Sequence, residues 1–147
     1  MIDGVRVKEL KFVKDNRGRL IEILRADDEI FIQFGQVYMT TAKPGIIKAW
    51  HGHNNQTDSI TCIKGSIKLV LYDDRQGSKT EGEINEFGIG EENPKLIQIP
   101  PKVWHGFKNV GADESLVINV PTLPYDHNNP DELRRPIETV DYTWDEG

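Results

Sequence analysis

The sequence predicts an all-β protein, one domain of antiparallel strands closed into a sandwich or barrel. Three observations carry that expectation. Short segments rich in branched and aromatic residues recur along the chain, Gly, Pro and Asn/Asp clusters punctuate nearly every gap between them, and helix signals are scarce.

Residues 5–13 alternate loosely and run into the turn chemistry of Asp15-Asn16-Arg17-Gly18, after which residues 19–24 form a second strand. Further strands are expected at residues 35–41, 46–53, 59–63, 66–72, 95–99, 106–110 and 115–120. The one helical signal covers residues 131–135, after Pro130 and before Pro136. No repeat, linker or low-complexity segment interrupts the pattern, so residues 1–147 read as one domain. Residues 136–147 are expected to be an irregular, partly mobile tail.

A chain of 147 residues is long enough to bury a real core. Eighteen Lys and Arg against 24 Asp and Glu leave a net charge of −6, which argues against a general nucleic-acid binder but not against an anionic small molecule. No apolar run reaches membrane-spanning length, and MIDGVRVKELKF at the N-terminus lacks the apolar core of a signal peptide. Cys62 is the lone cysteine, so no intrachain disulfide forms and a cytoplasmic setting is expected. Within Ile60-Thr61-Cys62-Ile63 it reads as a small buried hydrophobe.

Chemistry concentrates in Lys48-Ala49-Trp50-His51-Gly52-His53 and in Val103-Trp104-His105-Gly106-Phe107. Side chains two apart on a strand share a face, so His51 and His53 point the same way. Asp58 follows beyond an Asn-rich turn, and a barrel could aim His105 into the same cavity. Neutral imidazoles with one carboxylate suit zinc, iron, nickel or manganese. The same groups could equally be hydrogen-bonded polar residues lining a cavity, and both readings stay open. Trp50 and Trp104 would face away from their neighbouring histidines into a core. His127 reads as a solvated loop residue, and Arg19, Arg25 and Arg134 as surface cations.

From Gly45 the pattern is five residues, His51-x-His53, four residues, Asp58, six residues and Gly65. It resembles the first cupin motif, with Asp58 where a glutamate is usual. Pro100, His105 and Asn109 resemble the second, with Lys102 where a glycine is expected. The resemblance implies a cupin jelly-roll β-barrel with its site inside.

Over most of its length the chain also resembles the dTDP-4-dehydrorhamnose 3,5-epimerase family. Asp15, Arg17-Gly18, Leu20 and Glu22 match its N-terminal segment. Asp73-Asp74-Arg75, Ser78, Thr80 and Gly82 match a later run, as do Glu92-Asn93, Ile99-Pro100 and His105-Gly106-Phe107. That family epimerises 4-keto nucleotide sugars without a metal, so the resemblance implies no cofactor: a histidine removes a proton beside the ketone and a tyrosine returns one from the other face.

The resemblance implies His51 as base, His105 helping to polarise the ketone and Tyr125 as acid. It implies that Arg17, Glu22, Gln36 and Lys48 contact the nucleotide or its phosphates. His53, Asp58 and Asn119 would also meet the substrate. Some N-terminal contacts come from a neighbouring subunit in that family, which implies a homodimer. Four departures stand out. Asp58 falls where the family keeps a lysine, Leu69 where it keeps that lysine's aspartate partner, Asn119 where it keeps the acid tyrosine, and the C-terminal segment with the histidine-orienting aspartate has no counterpart.

A divalent metal on His51, His53, Asp58 and His105 is the alternative expectation, and a metal-bound His51 could not also be the base. A non-catalytic nucleotide-sugar or carbohydrate-binding cupin is the third.

Overall fold

The structure is a computed structural model and describes residues 1–144. The chain runs through β1 (Arg6–Glu9), β2 (Phe12–Asp15), β3 (Gly18–Ile21), β4 (Tyr38–Ala42), β5 (Ile47–Gly52) and β6 (Asp58–Lys64). It continues through β7 (Ser66–Tyr72), β8 (Ile84–Gly90), β9 (Lys95–Ile99), β10 (Trp104–Asn109) and β11 (Ser115–Asn119). β12 (Leu133–Arg134) and a 3-10 turn at Ile137–Thr139 close it. No described helix is long and apolar enough to cross a membrane.

Two antiparallel five-stranded sheets, ordered β1-β9-β6-β11-β4 and β12-β5-β10-β7-β8, form the jelly roll, and β2-β3 is a separate hairpin. The expected all-β cupin fold is therefore the observed one. β7 shows why the sheets close on each other. Its Ile67, Leu69 and Leu71 are fully buried and meet Ile60 and Cys62 of β6, Ile97 and Ile99 of β9 and Val117 of β11. Alternation along the strand sends these side chains inward and the intervening ones outward. Cys62 sits in this core, where burial pushes its thiol up to about 11, as suits a buried hydrophobe.

Four expectations are corrected. Residues 5–13 are two strands: β1 pairs with β9, whereas β2 turns away to pair with β3. β8 carries no expected strand, because Gly88, Gly90, Asn85 and Glu86 dilute its alternation; it forms by pairing along all of β7. Residues 131–135 are not helical. Five residues between two prolines cannot repay helix nucleation, while the open edge of β5 offers backbone partners to Leu133 and Arg134.

The tail, finally, is docked rather than loose. Val140 and Trp144 are buried with Trp50 and Val70 in a second core on the outer face of the sheet. Trp144 lies 5.3 Å from Trp50 between ring centroids, and Trp50 donates from Nε1 to the Ile137 carbonyl. Trp104 is only half-buried, its Nε1 donating to Asp74 and its ring covered by Arg135. Residues 145–147, part of the expected tail, lie outside the described residues.

Candidate active site

Between the sheets opens a cavity of about 290 Å³, walled by Tyr38 and Thr40 of β4, Lys48 and His51 of β5, His105 of β10 and Asn119 of β11, with His53, Glu132 and Arg134 at its side. Ile60, Phe107 and Val117 supply an apolar floor. Concave, largely apolar spaces with a few convergent polar groups are the usual form of small-molecule sites.

Lys48 and His51 reach this one cavity although three residues apart, a spacing that would put them on opposite faces of a regular strand. A bulge resolves the parity. His51 pairs with His105 and Lys48 with Phe107, so β5 carries one residue more than β10 between the two pairs. Gly106 sits opposite the extra residue, where a Cβ would stand 2.3 Å from the Ala49 Cβ. No residue larger than glycine fits there without moving β5.

His51 faces Glu132, with Nδ1 4.0 Å from a carboxylate oxygen. Burial lowers the imidazole pKa below its ordinary 6.5; the charge of Arg134 adds to that and Glu132 opposes it. The ring is therefore neutral at neutral pH, the state a general base requires. With Nδ1 toward Glu132, Nε2 is the nitrogen left for a substrate.

His53, Asp58 and His105 form a separate cluster. One Asp58 oxygen accepts from the Gln56 amide at 2.7 Å, while the other lies 3.1 Å from His53 Nε2 and 3.3 Å from His105 Nε2. Burial would raise the Asp58 carboxyl, but the His53 hydrogen bond and the charges of His105 and His53 outweigh it and hold the group at about 2. Burial works against protonating His53 too, yet Asp58 and the Asp131 carbonyl on its other nitrogen raise it. His105 is pushed down to about 4 by burial, with Asp58 opposing and the other two histidines adding. Asp58 is thus ionised and His105 neutral at neutral pH, while His53 is the imidazole that Asp58 favours for the proton. The three donor atoms lie within 4.8 Å of one another and do not include His51.

The remaining expected residues separate. Lys48 lines the cavity and donates from Nζ to the Thr40 hydroxyl and the Thr41 carbonyl. Gln36 and Tyr125 lie in an adjoining cavity that shares Tyr38, His53 and Glu132 with the first, and Gln36 Oε1 accepts from the Tyr125 backbone N–H. Tyr125 is 44% exposed, its ring against His127. Arg17 and Glu22 reach neither cavity; Arg17 pairs with Asp15 at 2.6 Å and Glu22 with Arg25.

Four polar cavity residues escaped sequence reasoning: Tyr38, Thr40, Glu132 and Arg134. The last two were hidden by the helical reading of residues 131–135, since strand alternation is what sends both to one face. Tyr38 lay inside an expected strand at a two-residue spacing from Thr40, a legible signal that no motif marked.

The family of the polysaccharide biosynthesis C-terminal domain matches residues 13–133. The chain belongs to that family. It is 45% identical over 139 residues to a probable low-salt glycan biosynthesis epimerase of Haloferax volcanii, covering 93% of this chain and 89% of the relative. It is 40% identical over 146 residues to the spore coat polysaccharide biosynthesis protein SpsL of Bacillus subtilis, covering 98% and 97%. Among solved structures, a dTDP sugar isomerase from Desulfovibrio desulfuricans superposes with a TM-score of 0.93 at 31% identity, covering 99% of this chain and 94% of that one. The family's homologues and structural neighbours are dTDP-4-dehydrorhamnose 3,5-epimerase-like proteins, as the motifs implied.

Proposed function

We propose that this protein is an epimerase or isomerase acting on a nucleotide-linked 4-keto-6-deoxy sugar in polysaccharide precursor synthesis. The observation that carries the reading is a neutral imidazole, His51, held against a carboxylate, Glu132, in the cavity between the sheets. A proton beside a ketone is acidic only because the resulting enolate is stabilised, so the site needs a base and positive charge near the developing oxygen. His51 Nε2 removes the proton, the C–H pair moves into the enolate, and Glu132 stabilises the imidazolium. Lys48 and Arg134 bring positive charge to the cavity wall, where an oxyanion and a diphosphate both require it. Asp58 is turned to His53 and His105, whose ring nitrogens lie 3.1 and 3.3 Å from its oxygen, and so does not face the cavity as a bare carboxylate.

The reading includes a homodimer and a cytoplasmic setting. Exposed Phe34 and Val37, which share one apolar outer surface with Ile21, Leu24 and Phe31, support the first. The lone buried thiol of Cys62 is consistent with the second. Arg17 and Glu22, stranded on the hairpin side of their own chain, would then serve a partner's cavity.

The deciding experiment incubates dTDP- and UDP-linked 4-keto-6-deoxy-glucose with the protein in deuterated water and follows the sugar protons by NMR. Deuterium entering beside the ketone, and lost in His51→Asn, is the expected result. Nucleotide sugars that bind without exchange at any carbon would overturn it in favour of a binding module.

A second reading concerns His53, Asp58 and His105. The buried Asp58 Oδ2 meets only two imidazole nitrogens, at 3.1 and 3.3 Å. With both imidazoles neutral, two ring nitrogens and a carboxylate suit a divalent ion, so these three side chains fit one. Bound there, a metal would polarise a ketone oxygen, the task a bare carboxylate cannot perform. Because His51 lies outside the set, it remains available as base, and the incompatibility expected from the sequence does not arise.

A further inference from the structure

Epimerisation requires a proton delivered to the face opposite the one that lost it, and the residues that deliver it must stand across the cavity from His51. Asn119 is an amide and cannot do this at neutral pH. Its side chain, however, is fixed in a revealing way. Asn119 Oδ1 accepts the Ser59 backbone N–H at 3.0 Å, and that obligatory donor settles which end of the amide is oxygen. Asn119 Nδ2 must then be the atom that meets Tyr38, donating to its phenolic oxygen at 3.0 Å. A phenol that accepts there turns its own O–H elsewhere, and Tyr38 lines the cavity. Tyr38 belongs to β4 in one sheet and His51 to β5 in the other, so the two flank the space from opposite walls.

We propose that Tyr38, oriented by Asn119, is the acid that reprotonates the enolate on the face opposite His51. The inference rests on the epimerase reading above and adds a residue to it. The chemistry balances within the site. After His51 has taken the ring proton, the enolate re-forms its C=O and its carbon π electrons make a new C–H bond with the Tyr38 hydroxyl proton. The O–H pair stays on the phenolate, and water later returns a proton to it. Position 119 and position 38 are neighbours across the β11–β4 pair, Asn119 opposite Tyr38 in register. An acid hydroxyl can therefore be supplied from β4 into the volume that a tyrosine on β11 would otherwise occupy. Tyr125 has no such placement: it lines the adjoining cavity but not the one that holds His51.

The test uses full-length Tyr38→Phe and Tyr125→Phe beside wild type in deuterated water, with dTDP- and UDP-linked 4-keto-6-deoxy-glucose. Melting temperature and dTDP binding by calorimetry confirm that each variant is folded and competent. If Tyr38 is the acid, Tyr38→Phe still exchanges deuterium beside the ketone with retained configuration, because His51 still removes and returns a proton on its own face. Formation of the inverted sugar falls by about 10²-fold or more. Inversion unchanged in Tyr38→Phe overturns the inference and leaves the epimerase reading intact. So does inversion lost in Tyr125→Phe but kept in Tyr38→Phe, which would return the role to Tyr125. Equal loss of exchange and inversion in a folded, dTDP-binding Tyr38→Phe also overturns it, since the residue would then serve proton removal. Absence of exchange and inversion in wild type overturns the epimerase reading itself, and this inference with it.

Discussion

His51 on β5 and Glu132 just ahead of β12 stand 4.0 Å apart, Nδ1 to Oε1, and strand pairing sets that relationship. Arg134 pairs with His51, so Glu132, two residues earlier on the same face, is carried into the cavity wall. Arg134 in turn binds Glu132 at 2.9 Å, which limits how strongly the carboxylate can raise the imidazole. A two-residue edge strand thus places a base, its carboxylate and a balancing cation together.

Replacing Glu132 with Gln keeps the shape and removes the charge. The expected result is a fall in kcat of about tenfold with KM nearly unchanged, while His51→Ala loses about 10²- to 10⁴-fold. Steady-state epimerisation kinetics check both, and equal kcat for Glu132→Gln and wild type would remove Glu132 from the mechanism.

The pH profile follows from the direction of the His51 shift. A base whose folded pKa lies below 6.5 stays active as pH falls, so the acid limb of kcat/KM should have its midpoint below 6.5. Removing the Arg134 charge with Arg134→Gln should move that limb upward. Removing the Glu132 charge should move it downward. A limb that ignores both substitutions would show that another group is titrating.

Protein purified without added metal and analysed by elemental mass spectrometry separates the two accounts of His53, Asp58 and His105. About one equivalent of a divalent metal, reduced to near zero in Asp58→Ala, is the outcome expected of a metal site. Less than about a tenth of an equivalent in wild type, with exchange activity unaffected by a chelator, is the outcome expected of a hydrogen-bonded cluster.

Trp144→Ala should destabilise the fold although it lies far along the chain. The side chain is 4% exposed and packs on Trp50, so truncation costs about 3 kcal/mol or more and lowers Tm by about 10 °C. A thermal melt unchanged within 2 °C, taken here as roughly the effect of half a kcal/mol, would show the tail to be dispensable.

Phe34 is 63% exposed beside Ile21, Leu24, Phe31 and Val37 on an apolar outer surface. Light scattering behind size exclusion should find a dimer in wild type and a shift toward monomer in Phe34→Glu. A monomeric wild type at tens of micromolar would argue against the shared-site account of Arg17 and Glu22.

Much of this protein was readable locally. β7 and β9 fall where short apolar runs and flanking turns put them, because such a run between turn residues is a strand signal written into its own residues. The grouping of His53 with Asp58 and His105 was legible as motif spacing, but the separation of His51 from those three was not. β8 was not, since two glycines and two polar residues leave it no periodicity, and its strand state comes from β7. Residues 131–135 misled for a related reason: their local preference was helical, and an unpaired edge outweighed it.

The sequence by itself determined the fold class, the family and the histidines that face the cavity, all of which depend on short-range patterns. Only the tertiary structure decided how those groups divide the work. Whether His51 belongs with Glu132 or with the Asp58 cluster, and whether a tyrosine stands across from it, depends on a bulge in β5, an edge strand and the β11–β4 register. These are contacts between distant segments, and no periodicity within one segment can encode the partner on another.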